Sequence, residues 1–177
     1  EPTSTHDLFG QIVSDAERYL KAMSYGTFDV TFRPLHRWLR MPHNLSSHYR
    51  DSESGRAWSE RRFRLIGDAI GLADPDFDFK DIDSVVVIAT PEADTIRQGT
   101  ALLSPDRRFY ADGQTIGNSM SLGSLDRQWP DGLTIAHELG HHLGLPDLYD
   151  RHAKFDFEER RYDEVARFVG TFGRMGG

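Results

Sequence analysis

The chain has 177 residues and a net charge of −7; its 38% of hydrophobic residues, with the 16 glycines added, comes to roughly 47%, the composition of an ordinary soluble globule with one core. No apolar run approaches the roughly 18 residues of a membrane span, and the acidic balance speaks against nucleic acid as a main partner, because phosphate binding needs a basic surface. The absence of cysteine removes disulfides, thiolate metal sites and cysteine nucleophiles together.

Glu1-Pro2-Thr3-Ser4-Thr5 has no basic stretch leading into an apolar one, so no signal peptide is expected in this chain. Leu8, Ile12, Ala16, Tyr19, Leu20 and Met23 recur at three- and four-residue spacing and predict a first helix. Ser4 or Thr5 can cap it, and Gly26 lies past its end. Phe28, Val30 and Phe32 alternate with Asp29, Thr31 and Arg33, which predicts a half-buried strand stopped by Pro34. Residues 35–54 read as mostly loop. A second helix is expected from about Gly55 to Leu72, burying Trp58, the stem of Arg62, Leu65, Ile66, Ala69 and Ile70. The β-branched run from Ser84 to Ala89 reads as a central buried strand. Two weaker strands are expected between Leu102 and Leu125, punctuated by Asp112-Gly113 and Gly117-Asn118. A third helix covers about Gly132 to Leu143, and a last one runs from about Glu158 to Val169. With no repeat, low-complexity tract or interior linker, residues 1–177 read as one α+β domain.

The chemistry concentrates in His137-Glu138-Leu139-Gly140-His141-His142-Leu143-Gly144-Leu145-Pro146-Asp147. Residues four apart share a helix face, so His137 and His141 project two imidazoles toward one point, as two tetrahedral zinc ligands require. Glu138, about 100° around the helix, is poorly aimed at the ion and well aimed at a water beside it. Gly144 can end the helix in the left-handed conformation. The chain then folds back, Pro146 stiffens the return, and Asp147 can supply a third ligand. Three protein ligands leave one position open, the pattern of a catalytic zinc site. A shuffled chain of this composition contains HExxH roughly one time in fifty, and the extended pattern roughly one time in five thousand.

The string HELGHHLGLPDLYD, His137 to Asp150, resembles the active-site signature of the immune inhibitor A-like secreted zinc metallopeptidases. The segments Ser24-Tyr25-Gly26 with Phe28 to Phe32, Arg37-Trp38-Leu39, Met41-Pro42-His43 and Ala73 to Phe79 are similar to that family more loosely. The resemblance implies a zincin or metzincin-like catalytic domain with one zinc ion per chain, held by His137, His141 and Asp147, and Glu138 as the catalytic base. It implies a methionine turn beneath the metal, for which Met175 is the candidate, and a polypeptide that continues after Gly177. It further implies that Met120-Ser121-Leu122, just before the active-site helix, forms an edge strand that pairs with an extended substrate, while the residues themselves fit a strand within the sheet equally well; Tyr149 is the residue in reach for hydrogen-bonding an oxyanion, with packing as its more ordinary role. Family members often carry a calcium loop after the second helix. Here Asp74, Asp76, Asp78, Asp81 and Asp83 remain, but Phe79 stands at the glycine position and the closing glutamate is missing, so loop-capping aspartates are favoured over Ca2+. His36, His43 and His48 lack ligand spacing, and His142 is expected to be partly buried behind the ligands. Arg61-Arg62-Phe63-Arg64 reads as a solvated or ion-paired face.

The expected function is that of a secreted zinc endopeptidase acting on protein or peptide substrates. The alternative is a zinc-binding domain that recognises peptides without cutting them.

Overall fold

A computed structural model of the chain describes residues 4–49, 56–90, 92–97, 99–103, 108–124, 126, 132–147, 155–156 and 161–162. Helix α1 spans Thr5–Met23, α2 spans Arg56–Ala73 and α3 spans Leu133–His142, with a π-helical turn at Leu45–Tyr49. The strands are β1 (Ser84–Ile88), β2 (Thr100–Leu102), β3 (Phe109–Ala111), β4 (Gln114–Ile116), β5 (Asn118–Leu122), β6 (Phe155–Asp156) and β7 (Arg161–Tyr162). The described architecture is mixed α+β.

Helix α1 starts where the capping residue allows it. Ser4 accepts the Asp7 N–H, satisfying one of the donors left open at a helix start. Its apolar stripe, Leu8, Ile12, Ala16 and Leu20, packs on Ile135, Ala136 and Leu139 of α3 and on Met120 and Leu122 of β5. A second core lies on the other side of the sheet, where Ile66, Ile70 and Ala73 of α2 meet Phe79, Phe109, Ala111 and Ile116. Strand β1 explains its own composition between these layers. Val86 and Ile88 reach the first core while Val85 and Val87 reach the second, so both faces are covered and no polar alternation is needed.

The three-stranded sheet runs in the order β1-β5-β2, with β1 parallel to β5 and β2 antiparallel to it. Among the described residues strand β1 is therefore an edge strand, half-buried along its length, rather than the central one. The centre belongs to β5, whose Met120, Ser121 and Leu122 are almost fully buried. Among the described residues between Leu102 and Leu125 there are three strands rather than two. Strands β3 and β4 form a hairpin whose turn, Asp112-Gly113, has φ of 48° and 75°, as a two-residue primed turn requires.

Three other expectations are corrected. Residues 28–32 form no strand ladder, although Phe28, Val30 and Phe32 are half-buried against the first core and Asp29, Thr31 and Arg33 are exposed. The alternation is satisfied by packing alone. A cavity of about 1000 Å3 is lined both by this segment and by β1. The last expected helix fails at residues 161 and 162, which pair with 155 and 156 in an antiparallel ladder; its remaining positions lie outside the described residues, as does the side chain of Trp58. Arg62 is buried, as its place on the helix stripe predicts, and its guanidinium donates to the Ser121 hydroxyl at 3.1 Å. It does not belong to a solvated basic face.

Candidate metal centre

The site is built on α3 and the bend that follows it. At its start, Gly132 sits in the left-handed region with φ of 64° and its backbone lies hard against α1: a Cβ there would stand 1.9 Å from the Ile12 carbonyl oxygen. At its end, Gly144 has φ of 87°. The Leu145 N–H bonds to the Gly140 carbonyl and the Gly144 N–H to the His141 carbonyl, each at 2.9 Å. These are the two bonds of a Schellman motif, which a left-handed residue at this position makes possible. The motif reverses the chain and returns Asp147 to the helix face it has just left.

On that face the His137 and His141 rings stand nearly perpendicular, with centroids 4.8 Å apart. Each Nε2 lies 3.3 Å from Asp147 Oδ1. One ligand atom from each of the three residues falls within 4.8 Å of the others, close enough to hold one metal ion, and all three side chains are about 85% covered. The Leu145 carbonyl lies 2.9 Å from His141 Nδ1. A carbonyl only accepts, so Nδ1 carries the proton, and in the neutral ring a metal would require, the Nε2 lone pair faces the cluster. The bend thus contributes twice, once by returning Asp147 and once by setting the tautomer of His141.

Glu138 lies on the neighbouring stripe of the helix and is nearly fully buried. Its Oε2 accepts the N–H of Ala101 in β2 at 2.6 Å. Burial pushes its carboxyl above the ordinary glutamate range, against the pull of His137 and the Ala101 bond. His142, half-buried, lies 3.3 Å from the Ser84 hydroxyl through Nδ1 and 3.2 Å from the Ser119 carbonyl through Nε2. Burial holds its imidazole below the ordinary histidine value.

Met120, Ser121 and Leu122 do not offer the edge that the resemblance implies and form instead the strand within the sheet that their sequence fits equally well. Strand β5 is hydrogen-bonded to β1 on one side and to β2 on the other, so no backbone edge is left for an incoming strand. Among the described residues the edge on the metal side of this sheet is β2, and its Ala101 amide is the group that the sequence reading missed. A backbone N–H leaves no mark on residue type, and a three-residue strand leaves almost none on the pattern. Tyr149 and Met175 lie outside the described residues.

Among the described residues no other set of three His, Asp or Glu side chains comes within reach of one ion. Of the aspartates after α2, Asp76 pairs with Arg37 and Asp78 accepts the Lys80 N–H. His43 stacks on His48 and His36 on His6. No helix among the described residues is long and apolar enough to cross a membrane. Comparison with known protein families, with curated proteins and with solved structures found no match.

Proposed function

We propose that the chain is a zinc-dependent endopeptidase whose active site is the His137–His141–Asp147 group with Glu138 beside it. The observation that carries this reading is the meeting of two imidazole nitrogens and a carboxylate oxygen within 4.8 Å, next to a buried carboxyl group on the adjoining helix stripe. Two nitrogens and one oxygen suit zinc with a fourth position open. The same set is too small and too rich in nitrogen for calcium, which takes six to eight oxygens. Zinc in this place supplies Lewis acidity, polarising a peptide carbonyl and making water easier to deprotonate near neutral pH.

The chain's own residues do the rest. Glu138 accepts the proton of the attacking water and returns it to the leaving amine. Its burial raises its proton affinity above that of an exposed glutamate, which suits a group that must take up a proton and give it back near neutral pH. The Ala101 amide orients the carboxylate through one oxygen. Asp147 carries a charge that a third histidine would lack, which leaves more of the activation to Glu138. The peptide substrate and the extracellular setting belong to the same reading and rest on the resemblance of the His137–Asp150 segment.

The test is digestion of casein or gelatin by the zinc-loaded chain, with and without chelator. Cleavage that stops on chelation and returns with zinc supports the proposal. Tight zinc binding with no cleavage of any protein or peptide would instead favour a zinc-dependent recognition domain.

A further inference from the structure

We infer that His142 is a positioning residue for the metal group: it ties the last turn of α3 to two strands and so sets the helix rotation that aims His137 and His141 at Asp147. This rests on the metal reading above. Four-residue spacing occurs twice along α3, once in His137 and His141 and once in Glu138 and His142, the second stripe displaced by about 100°. The first stripe carries the donors. The second faces the sheet, where Glu138 reaches β2 at Ala101 and His142 reaches β1 and β5.

The bonding of His142 is set by its partners. The Ser119 oxygen is a backbone carbonyl and only accepts, so Nε2 carries the proton and donates to it. Nδ1 is then the acceptor, and the Ser84 hydroxyl donates to it. Both ring nitrogens are engaged, each on a different strand. Of the two ties between this stripe and the sheet, the one through Glu138 belongs to a group that has to exchange protons with substrate. The tie through His142 has no such conflict and persists through a turnover.

The lever is steep. A rotation of about 10° about the helix axis moves an imidazole Nε2 by roughly 1 Å, whereas metal–ligand distances tolerate about 0.2 Å. Holding the sheet-facing stripe therefore holds the metal-facing one.

The experiment is titration of the full chain with Co2+, reading the dissociation constant and the visible d–d spectrum of the bound ion. The variants are H142L, H142Q and S84A, with far-UV circular dichroism to confirm folding. H142L should weaken Co2+ about tenfold or more and alter the spectrum. H142Q, which keeps an N–H for the Ser119 carbonyl, should recover most of that affinity, and S84A should lose a smaller part of it. If H142L does not fold, H142Q and S84A carry the test. Folded variants with wild-type affinity and an unchanged spectrum overturn the role of His142 while leaving the metal reading intact. A wild-type chain that takes up no Co2+ overturns the metal reading, and this inference with it.

Discussion

His137 and Glu138 are adjacent in the chain and serve different surroundings, because one step along a helix turns a side chain through about 100°. His137 joins His141 and Asp147, while Glu138 enters the buried space under β2. Their removal should therefore separate two properties. Glu138→Ala should bind zinc as the wild type does and lose about 10²-fold or more of kcat; wild-type turnover in that variant would remove Glu138 from the mechanism. His137→Ala, by contrast, should lose the metal itself, measured as zinc per chain after dialysis. The histidine pair, its acid neighbour and Asp147 were legible in the sequence because each has a fixed offset on or just after one helix. The partner of His141 Nδ1 was not, since a carbonyl belongs to every residue alike.

The ends of α3 show how two glycines of similar φ differ in what they protect. At Gly132 an added Cβ meets the Ile12 carbonyl at 1.9 Å and the Ala16 nitrogen at 2.8 Å, both backbone atoms that cannot turn aside. Gly132→Ala should cost about 3 kcal/mol or more from strain and overpacking together. At Gly144 nothing lies within 4 Å of that position, so Gly144→Ala should cost only about 1–2 kcal/mol, the price of a left-handed conformation. Urea midpoints compare the two, and equal losses would contradict the close crossing of α1 and α3. The short π-helical turn offers a pH-dependent case. Tyr49 is buried and donates to Asp68 at 2.6 Å, and burial, reinforced by that carboxylate, pushes its hydroxyl far above the ordinary tyrosine value. Above about pH 10 the unfolded chain releases this proton and the folded chain keeps it, so the contribution of Tyr49 to stability falls as pH rises. The stability gap between wild type and Tyr49→Phe should shrink by about 1 kcal/mol between pH 10 and pH 11, since the unfolded tyrosine is only half ionised at the start of that interval, measured by chemical denaturation. A gap that widens would reverse the sign.

Over the whole molecule, the metal group joins the end of α3 to the return of the chain at Asp147, a geometry that an unfolded chain does not hold. A metal that binds only the folded form stabilises it by mass action, about 2.7 kcal/mol at a hundredfold excess over Kd. Chelation should accordingly lower the melting temperature by roughly 5–10 °C for a chain of this size. The same treatment should leave His137→Ala unmoved, and equal shifts in both would place the effect elsewhere than in this cluster. The sheet sits between α1 and α3 on one side and α2 with the β3–β4 hairpin on the other, so the site is mounted on an element buried against two layers rather than on a loop.

Helices α1, α2 and α3, the turn at Asp112-Gly113, the covering of β1 on both faces and the ligand spacing followed from the sequence itself, because periodicity, capping and helical offsets are local properties of a few neighbouring residues. Strand order was decided only in three dimensions. Val85 to Ile88 are as apolar as a central strand, yet among the described residues β1 stands at an edge, since its covering comes from above and below the sheet and not from a second neighbouring strand. Phe28 to Phe32 alternate like a strand, yet half-burial against a core satisfies that pattern without a ladder. Met120 to Leu122 became the centre and Thr100 to Leu102 the edge, because hydrogen bonds between strands join residues distant in the chain and leave no periodic trace in either one.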